Sequence, residues 1–291
     1  IDPMSLHLRF RHEPYFTRQQ QWLLVGLTAL AYLLRLHRLN IQSLWFDESL
    51  SVLFASLPWD AAVQAMLQEG LHHSPLFYIL LRPFAADSFS EFSLRFLSVT
   101  LGVLAIPLIA QMGRMMVGTR VGALTAILLA VNPFHVWYSQ EARMYTLLIV
   151  SALGAMAFFV QNLQAPRRRN WLGVAFFTAV GINAHYFAFF IPLVQFIFIV
   201  VTLKRNYALL RPWVGAQLLA GLSLIPWIMI VLNWGHFYFG SAADRPPTGY
   251  DLLQTFWNFS IGYTEQITLF VIAALSLFLL LSILGAKSAL R

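Results

Sequence analysis

Long apolar runs separated by short clusters of charge set the pattern of this chain. A membrane-crossing helix needs about 17–25 mostly apolar residues. Runs of this kind lie at 20–38, 96–112, 121–137, 144–160, 171–183, 186–203, 214–232 and 267–284. A further run at 75–86 holds only about a dozen residues, too few to span comfortably. It reads as a helix lying at the interface or re-entering. The pattern predicts an all-α fold: a polytopic transmembrane bundle of about eight crossings, with interfacial helices in a long first connection, residues 39–95.

Composition supports that class. Of 291 residues, 59% are hydrophobic and 11% charged, and the mean hydropathy is +0.67. Soluble domains carry about 25% charged residues. There is no cysteine, which excludes disulfides and thiolate metal sites. The net charge of +7 would suit nucleic acid, but the basic residues sit between apolar runs, where they orient a membrane protein instead. Membrane lipids are therefore expected partners, and nucleic acid is not.

With eight crossings, the basic connections alternate onto one side. They hold Arg9, Arg11 and Arg18, then Arg114 and Arg120, then Arg167–Arg169, then Lys204, Arg205 and Arg211, and finally Lys287 and Arg291. The positive-inside rule makes this side cytoplasmic. The opposite, outer side collects Asp47, Glu48, His72, His73, Arg82 and Arg95 in the first connection, Gln140-Glu141-Ala142-Arg143 in a later turn, and His185-Tyr186 at another tip. Residues 1–3, ahead of Met4, read as a cloning remnant, and 4–21 as a cytoplasmic N-terminal segment. Residues 22–232 form the main transmembrane module; 233–291 add an outer loop and a last crossing.

Each outer group has a structural and a chemical reading. Asp47-Glu48 is either a wet loop pair or a general base with an orienting neighbour, since adjacent carboxylates in a semi-dry cleft repel and raise one proton affinity. Ser74-Pro75 suits a helix start, which leaves His72 and His73 to meet a phosphate or, with Asp47 and Glu48, a divalent metal. Arg95 is either a snorkelling side chain or an anion clamp. Asn132-Pro133 should break the third crossing. In a helix running on from there, Glu141 and Tyr145 would share one face and Gln140 and Arg143 another. An internal Glu141–Arg143 ion pair is the structural alternative. His185-Tyr186 reaches the same side of the membrane.

The ordered series Trp45-Phe46-Asp47-Glu48, His73-Ser74-Pro75-Leu76-Phe77-Tyr78, Ser93-Leu94-Arg95-Phe96-Leu97-Ser98 and Asn132-Pro133 through Ser139-Gln140-Glu141-Ala142-Arg143-Met144-Tyr145 resembles the GT-C superfamily of membrane glycosyltransferases, on its protein-O-mannosyltransferase and aminoarabinose-transferase branch. The resemblance covers about residues 20–232. It implies an inverting enzyme that takes a sugar from a polyprenyl phosphate at the outer leaflet and passes it to a lipid, glycan or protein acceptor. It implies Asp47 as general base, Glu48 as its acidic neighbour, and Arg95, with His73 and Arg143, at the donor phosphate. His72, Gln140, Glu141, Tyr145, His185 and Tyr186 are the remaining expected substrate contacts. Relatives of this kind commonly have more crossings and an outer C-terminal domain, so the chain is either a compact member or a shortened one.

No cofactor is required by this reading; a divalent metal is left open. A bacterial inner membrane suits the lack of cysteine. Two other functions fit the same residues. A lipid-linked sugar carrier without chemistry would string ionisable groups through the spans, which are nearly free of them. A metal-dependent membrane hydrolase would use Asp47, Glu48, His72 and His73 as ligands.

Overall fold

The computed structural model describes residues 15–69, 74–85, 90–234 and 248–261, with scattered helical positions between 269 and 280. All regular structure among the described residues is helical. In chain order the helices are α1 (Arg18–Leu36), α2 (Phe46–Ser56), α3 (Trp59–Gln68), α4 (Leu76–Leu81), α5 (Glu91–Met116), α6 (Thr119–Val131), α7 (Pro133–Ser139), α8 (Tyr145–Gln164), α9 (Arg168–Ala184), α10 (Phe190–Val201), α11 (Leu203–Leu222), α12 (Ile225–Trp234) and α13 (Gly249–Ile261), with 3₁₀ turns at Arg82–Phe84 and Tyr186–Phe189.

Local chemistry fixes several of these ends. Thr17 and Gln20 form a reciprocal capping box that starts α1. Ser90 accepts from Ser93 N–H at the start of α5. Asn132 caps α7 by accepting from His135 N–H at 2.7 Å, and Pro133 takes the first helical position. The dipeptide thus ends one helix and begins another, and α6 and α7 meet at 61°.

That break leaves backbone carbonyls without helical donors, because Pro133 has no N–H to offer Leu129. Arg35 of α1 supplies them. Its guanidinium donates to Ala130 O at 3.1 Å, Leu129 O at 3.2 Å and Ala31 O at 2.9 Å, reaches Ser139 Oγ, and meets His135 Nδ1 at 2.7 Å. Arg35 is fully buried. Arg35, Arg95 and Arg114 all lie buried within helices, so the spans are less free of ionisable groups than expected. The described partners of the first two are backbone oxygens, neighbouring polar side chains and a carboxylate, not a polar track across the bundle.

α5 is the central helix, packed by α1, α6 and α8, and α8 in turn packs α9. Close approach uses small residues, as in lipid-facing bundles. A Cβ at Gly122 would meet Ala110 O and Arg114 N; one at Gly102 would meet Ser139. Outward faces are apolar: Phe190, Val194, Ile197 and Val201 of α10 are all exposed. A cluster at one end of the bundle joins α2, α3 and α4 to α5, α8 and α12 through Phe54, Met66, Phe77, Leu81, Leu94, Leu147 and Trp227. The other end gathers Arg114 against the rings of Tyr15 and Phe16, and Gln164 against Met115 O.

The chain is an integral membrane protein by these apolar helices, but the described residues carry fewer clear spans than the eight expected. α5 and α8 are long and apolar enough to cross; the bent pairs α6–α7 and Tyr207–Leu222 with α12 bring the total to four if each is one span. α1 opens with Arg18 and three glutamines and holds Arg35, α9 has only 17 residues, and Tyr186–Val201 is shorter still. The run at 75–86 is α4 plus a 3₁₀ turn, with Pro75 rather than Ser74 in the N-cap position. Most of the last expected crossing, and the 235–247 and 262–266 parts of its preceding loop, lie outside the described residues.

Arg35→Met should leave the Leu129 and Ala130 carbonyls unpaired. Each such loss costs about 1–3 kcal/mol, so thermal unfolding in detergent should fall by about 4 °C or more. A melting curve matching the parent would contradict this role.

Candidate active site

Glu48 begins as a helix-start residue. It sits in the first turn of α2, where negative charge meets the helix N-terminus favourably, and Trp45 N–H approaches its Oε2 at 3.4 Å. Its carboxylate is fully buried against Arg95 of α5, with Nε to Oε1 at 2.9 Å and Nη2 to Oε2 at 2.7 Å. This is the bidentate geometry that suits guanidinium and carboxylate. Arg95 also donates to Leu39 O at 2.7 Å, Gln42 O at 2.8 Å and Ser43 O at 3.3 Å. All five guanidinium N–H bonds are engaged. Glu48 Oε1 further accepts Ala142 N–H at 2.8 Å. One ion pair therefore ties the 39–43 segment, α2, α5 and the turn before α8.

Asp47, one residue earlier, faces Arg143. The carboxylate lies 3.5 Å from Arg143 Nη2, and Asp47 is one-third exposed where Arg143 is buried. Arg143 Nη1 donates to the Asp47 carbonyl at 3.2 Å and reaches Ser51 Oγ at 3.4 Å. Its Nε is buried with no hydrogen-bond partner among the described residues. The Tyr78 and Tyr145 side chains lie close enough to feel its charge, and it sits 5.9 Å from the Tyr145 ring centroid. Burial pushes the Tyr78 hydroxyl up to about 12, against the opposing pull of Arg143. His185 lies beside Tyr145, ring centroids 6.4 Å apart and tilted by 47°. Burial, then the charge of Arg143, lowers its pKa. Its Nδ1 accepts Phe187 N–H at 3.1 Å, so the neutral ring carries its proton on Nε2.

The expected helix through 140–145 is not formed. α7 stops at Ser139, the chain turns through 140–144, and α8 begins at Tyr145. The turn persists because its backbone groups are held from outside: Ala142 N–H by Glu48, and Arg143 C=O by Ser98 Oγ at 3.1 Å. The Glu141–Arg143 ion pair, the structural alternative for this run, gives way to other contacts. Glu141 Oε1 accepts Trp137 Nε1–H at 2.7 Å, while Arg143 turns to Asp47. Gln140 donates to Arg35 O and His37 O, closing the C-terminus of α1.

Beside these pairs lies a cavity of about 440 Å³, walled by Trp45, Trp137, Tyr138, Tyr145, Glu48, Arg95, Glu141, Gln42 and Gln140. The size falls within the usual range for small-molecule sites, about 300–1,000 Å³. Glu141 is the carboxyl on its wall with an unengaged oxygen: Oε2 has no partner among the described residues. Burial raises its pKa to about 7; Glu48 adds to the shift, while the Trp137 hydrogen bond, Arg143 and Arg95 oppose it.

Asp47, Glu48, Arg95, Gln140, Glu141, Arg143, Tyr145 and His185 thus come together at one end of the bundle. Tyr186 stands beside His185 but is largely exposed. His72 and His73 lie outside the described residues. Among the described residues no group of three or more His, Cys, Asp or Glu is placed to hold a metal. Arg82 donates to Leu57 O at 2.8 Å, away from the pairs. Sequence reasoning overlooked Arg35 and Trp137. An arginine inside an apolar run was the available signal for the first; the second was read only as an interfacial anchor.

Removing one partner of a buried ion pair costs about 3–5 kcal/mol. Arg95→Ala and Glu48→Ala should each lower the unfolding temperature strongly, and the double variant should cost far less than the two added. Additive losses would contradict a direct pair.

Residues 72–230, more than half of the chain, match the dolichyl-phosphate-mannose-protein mannosyltransferase family. The match takes in Arg95, the 140–145 turn and His185, and begins after Asp47 and Glu48. No curated protein and no solved structure matches. The chain belongs to the dolichyl-phosphate-mannose-protein mannosyltransferase family, and is a membrane glycosyltransferase that draws on a lipid-linked sugar donor.

Proposed function

We propose that this protein is an inverting glycosyltransferase that moves a sugar from a polyprenyl phosphate to an acceptor at the outer, periplasmic face of a bacterial inner membrane. The observation that carries the reading is the Asp47–Arg143 pair: a partly exposed carboxylate 3.5 Å from a buried guanidinium whose Nε is unengaged. It supplies a base and an anion site side by side. The outer orientation rests on the basic turns expected at the opposite end of the spans.

In this mechanism the donor phosphate replaces Asp47 as the partner of Arg143. That exchange frees the carboxylate to take the proton from the acceptor hydroxyl or amine. The acceptor atom attacks the anomeric carbon, the bond from that carbon to the phosphate oxygen breaks with its electron pair, and configuration inverts. Arg143, with the Tyr78 and Tyr145 hydroxyls near it, stabilises the charge that grows on the phosphate. Arg95 has no donor left for a phosphate. Its part in this reading is to hold Glu48, and through Glu48 the start of α2 that carries Asp47. The resemblance to the family supports the donor class; a dolichol-type or shorter chain and a mannosyl or other sugar fit equally. Lipid, glycan and protein remain the acceptor classes.

Incubating the purified protein with a panel of polyprenyl-phosphate sugars and following loss of the sugar tests the assignment. Asp47→Asn should reduce turnover by about 10²–10⁴-fold while binding donor at least as tightly, since the competing anion is gone. Arg143→Ala should weaken donor binding instead. Parent-like turnover by Asp47→Asn, or unchanged donor affinity in Arg143→Ala, refutes the respective role.

A further inference from the structure

The end of the bundle away from the Asp47–Arg143 pair carries a basic surface with no countercharge. α9 joins the two ends. It starts at Arg168, and its last residue, Ala184, precedes His185 at the site; its 17 residues span about 25 Å at 1.5 Å each. Residues 142–243 contain no Asp or Glu. Arg167, Arg168 and Arg169 at the start of α9, and Arg211 in α11, are all exposed. Among the described residues no ion pair reaches any of the four.

Beside these arginines a cavity of about 550 Å³ opens between α9 and α11, lined by Arg167, Arg168, Trp171, Leu172, Gly215 and Leu219 among others. Trp171 belongs to the core that α8, α9, α10 and α11 share, so this wall is packed from behind. Leu172 and Leu219 are exposed, on a surface that meets hydrocarbon in a membrane protein. Gly215 is not required for helix packing, since a Cβ there would meet nothing within 4 Å. A mid-helix glycine weakens a helix relative to alanine; here its effect is to leave the groove open. Arginines that only orient a span need no recess next to them. These have one, with a cationic edge and an apolar floor.

We propose that this groove binds an anionic phospholipid, with the phosphate on Arg167 and Arg168 and an acyl chain laid over Trp171, Leu172 and Leu219 beside Gly215. Guanidinium groups match phosphate oxygens through their fork of donors, and basic recesses between helices suit acidic head groups. Uncompensated positive charge selects an anion. The apolar floor selects a lipid over a free phosphate, which would leave that surface uncovered. On the orientation proposed above, the lipid comes from the cytoplasmic leaflet. The groove shares no lining residue with the cavity beside Glu48 and Arg95, so this inference stands apart from the donor reading.

The test photolabels the full chain in phosphatidylcholine nanodiscs with a trace of phosphatidylglycerol that carries a diazirine in its tail, and maps the labelled peptides. In the parent, label should concentrate in 166–172 and 212–219. Unlabelled phosphatidylglycerol should displace it, and inorganic phosphate should not. Arg167→Gln combined with Arg168→Gln should lower label in these two segments about tenfold or more. Label on the other helices and the melting temperature should stay at parent values, because both side chains are exposed. Gly215→Leu keeps every arginine and fills space that no other atom occupies, so it should lower the label as well. Parent-like label in the double arginine variant, or equal label from a diazirine phosphatidylcholine, overturns the proposal. Loss of label in the arginine variant but not in Gly215→Leu would reduce the arginines to a diffuse surface attraction and overturn the groove as the site. Displacement by inorganic phosphate would overturn the lipid as its occupant.

Discussion

A buried guanidinium must find acceptors for five N–H bonds, and Arg95 finds them in one place. Two come from Glu48 and three from the carbonyls of Leu39, Gln42 and Ser43. Glu48 in turn receives the Ala142 amide. Those contacts join segments about fifty and ninety residues apart in sequence. Without this pair, the start of α2 would lose its polar tie to α5, and the 140–144 turn would lose the carboxylate that holds its Ala142 amide. Everything chemically interesting in the protein hangs on these two connections.

A second guanidinium does comparable work on the other side of the turn. Arg35 answers the carbonyls that Pro133 leaves without donors, and so stabilises a 61° bend between α6 and α7. The bend matters because α7 carries Trp137 and delivers the chain to Gln140 and Glu141. Both arginines sit in helices where charge is expensive, and both are fully or nearly fully engaged by backbone oxygens and polar side chains. They stiffen the frame. Arg143 is the exception: it is buried, paired with Asp47 at the long distance of 3.5 Å, and keeps an unengaged Nε. The contrast between saturated arginines and an incompletely satisfied one is the physical basis for separating framework from chemistry here.

Much of the site was legible beforehand, because chemistry-bearing residues avoid apolar runs and so collect in the connections. Asp47, Glu48, Arg95, Glu141, Arg143 and His185 stand out for that reason. Their pairing was not legible. The Glu141–Arg143 contact that nearness in sequence offered as an alternative gives way to Trp137 with Glu141 and Asp47 with Arg143, because partners from other segments lie within reach of each side chain. Of the eight runs, two to four have the length and hydropathy of a span among the described residues. α1 is helical as expected, but its polar opening and Arg35 lower its hydropathy, while Asn132-Pro133 splits another run into two pieces.

The sequence by itself determined that the chain is helical and membrane-embedded, that Asn132-Pro133 would interrupt a helix, and that carboxylates, arginines and imidazoles would gather in a few connections. These follow from local rules: hydrophobic length, missing amide protons, and the cost of charge in hydrocarbon. Only the tertiary structure decided which cation meets which anion, which carboxyl keeps an unengaged oxygen, and where a cavity opens. Those depend on atoms placed within hydrogen-bond reach by segments dozens of residues apart, and no local rule fixes such distances.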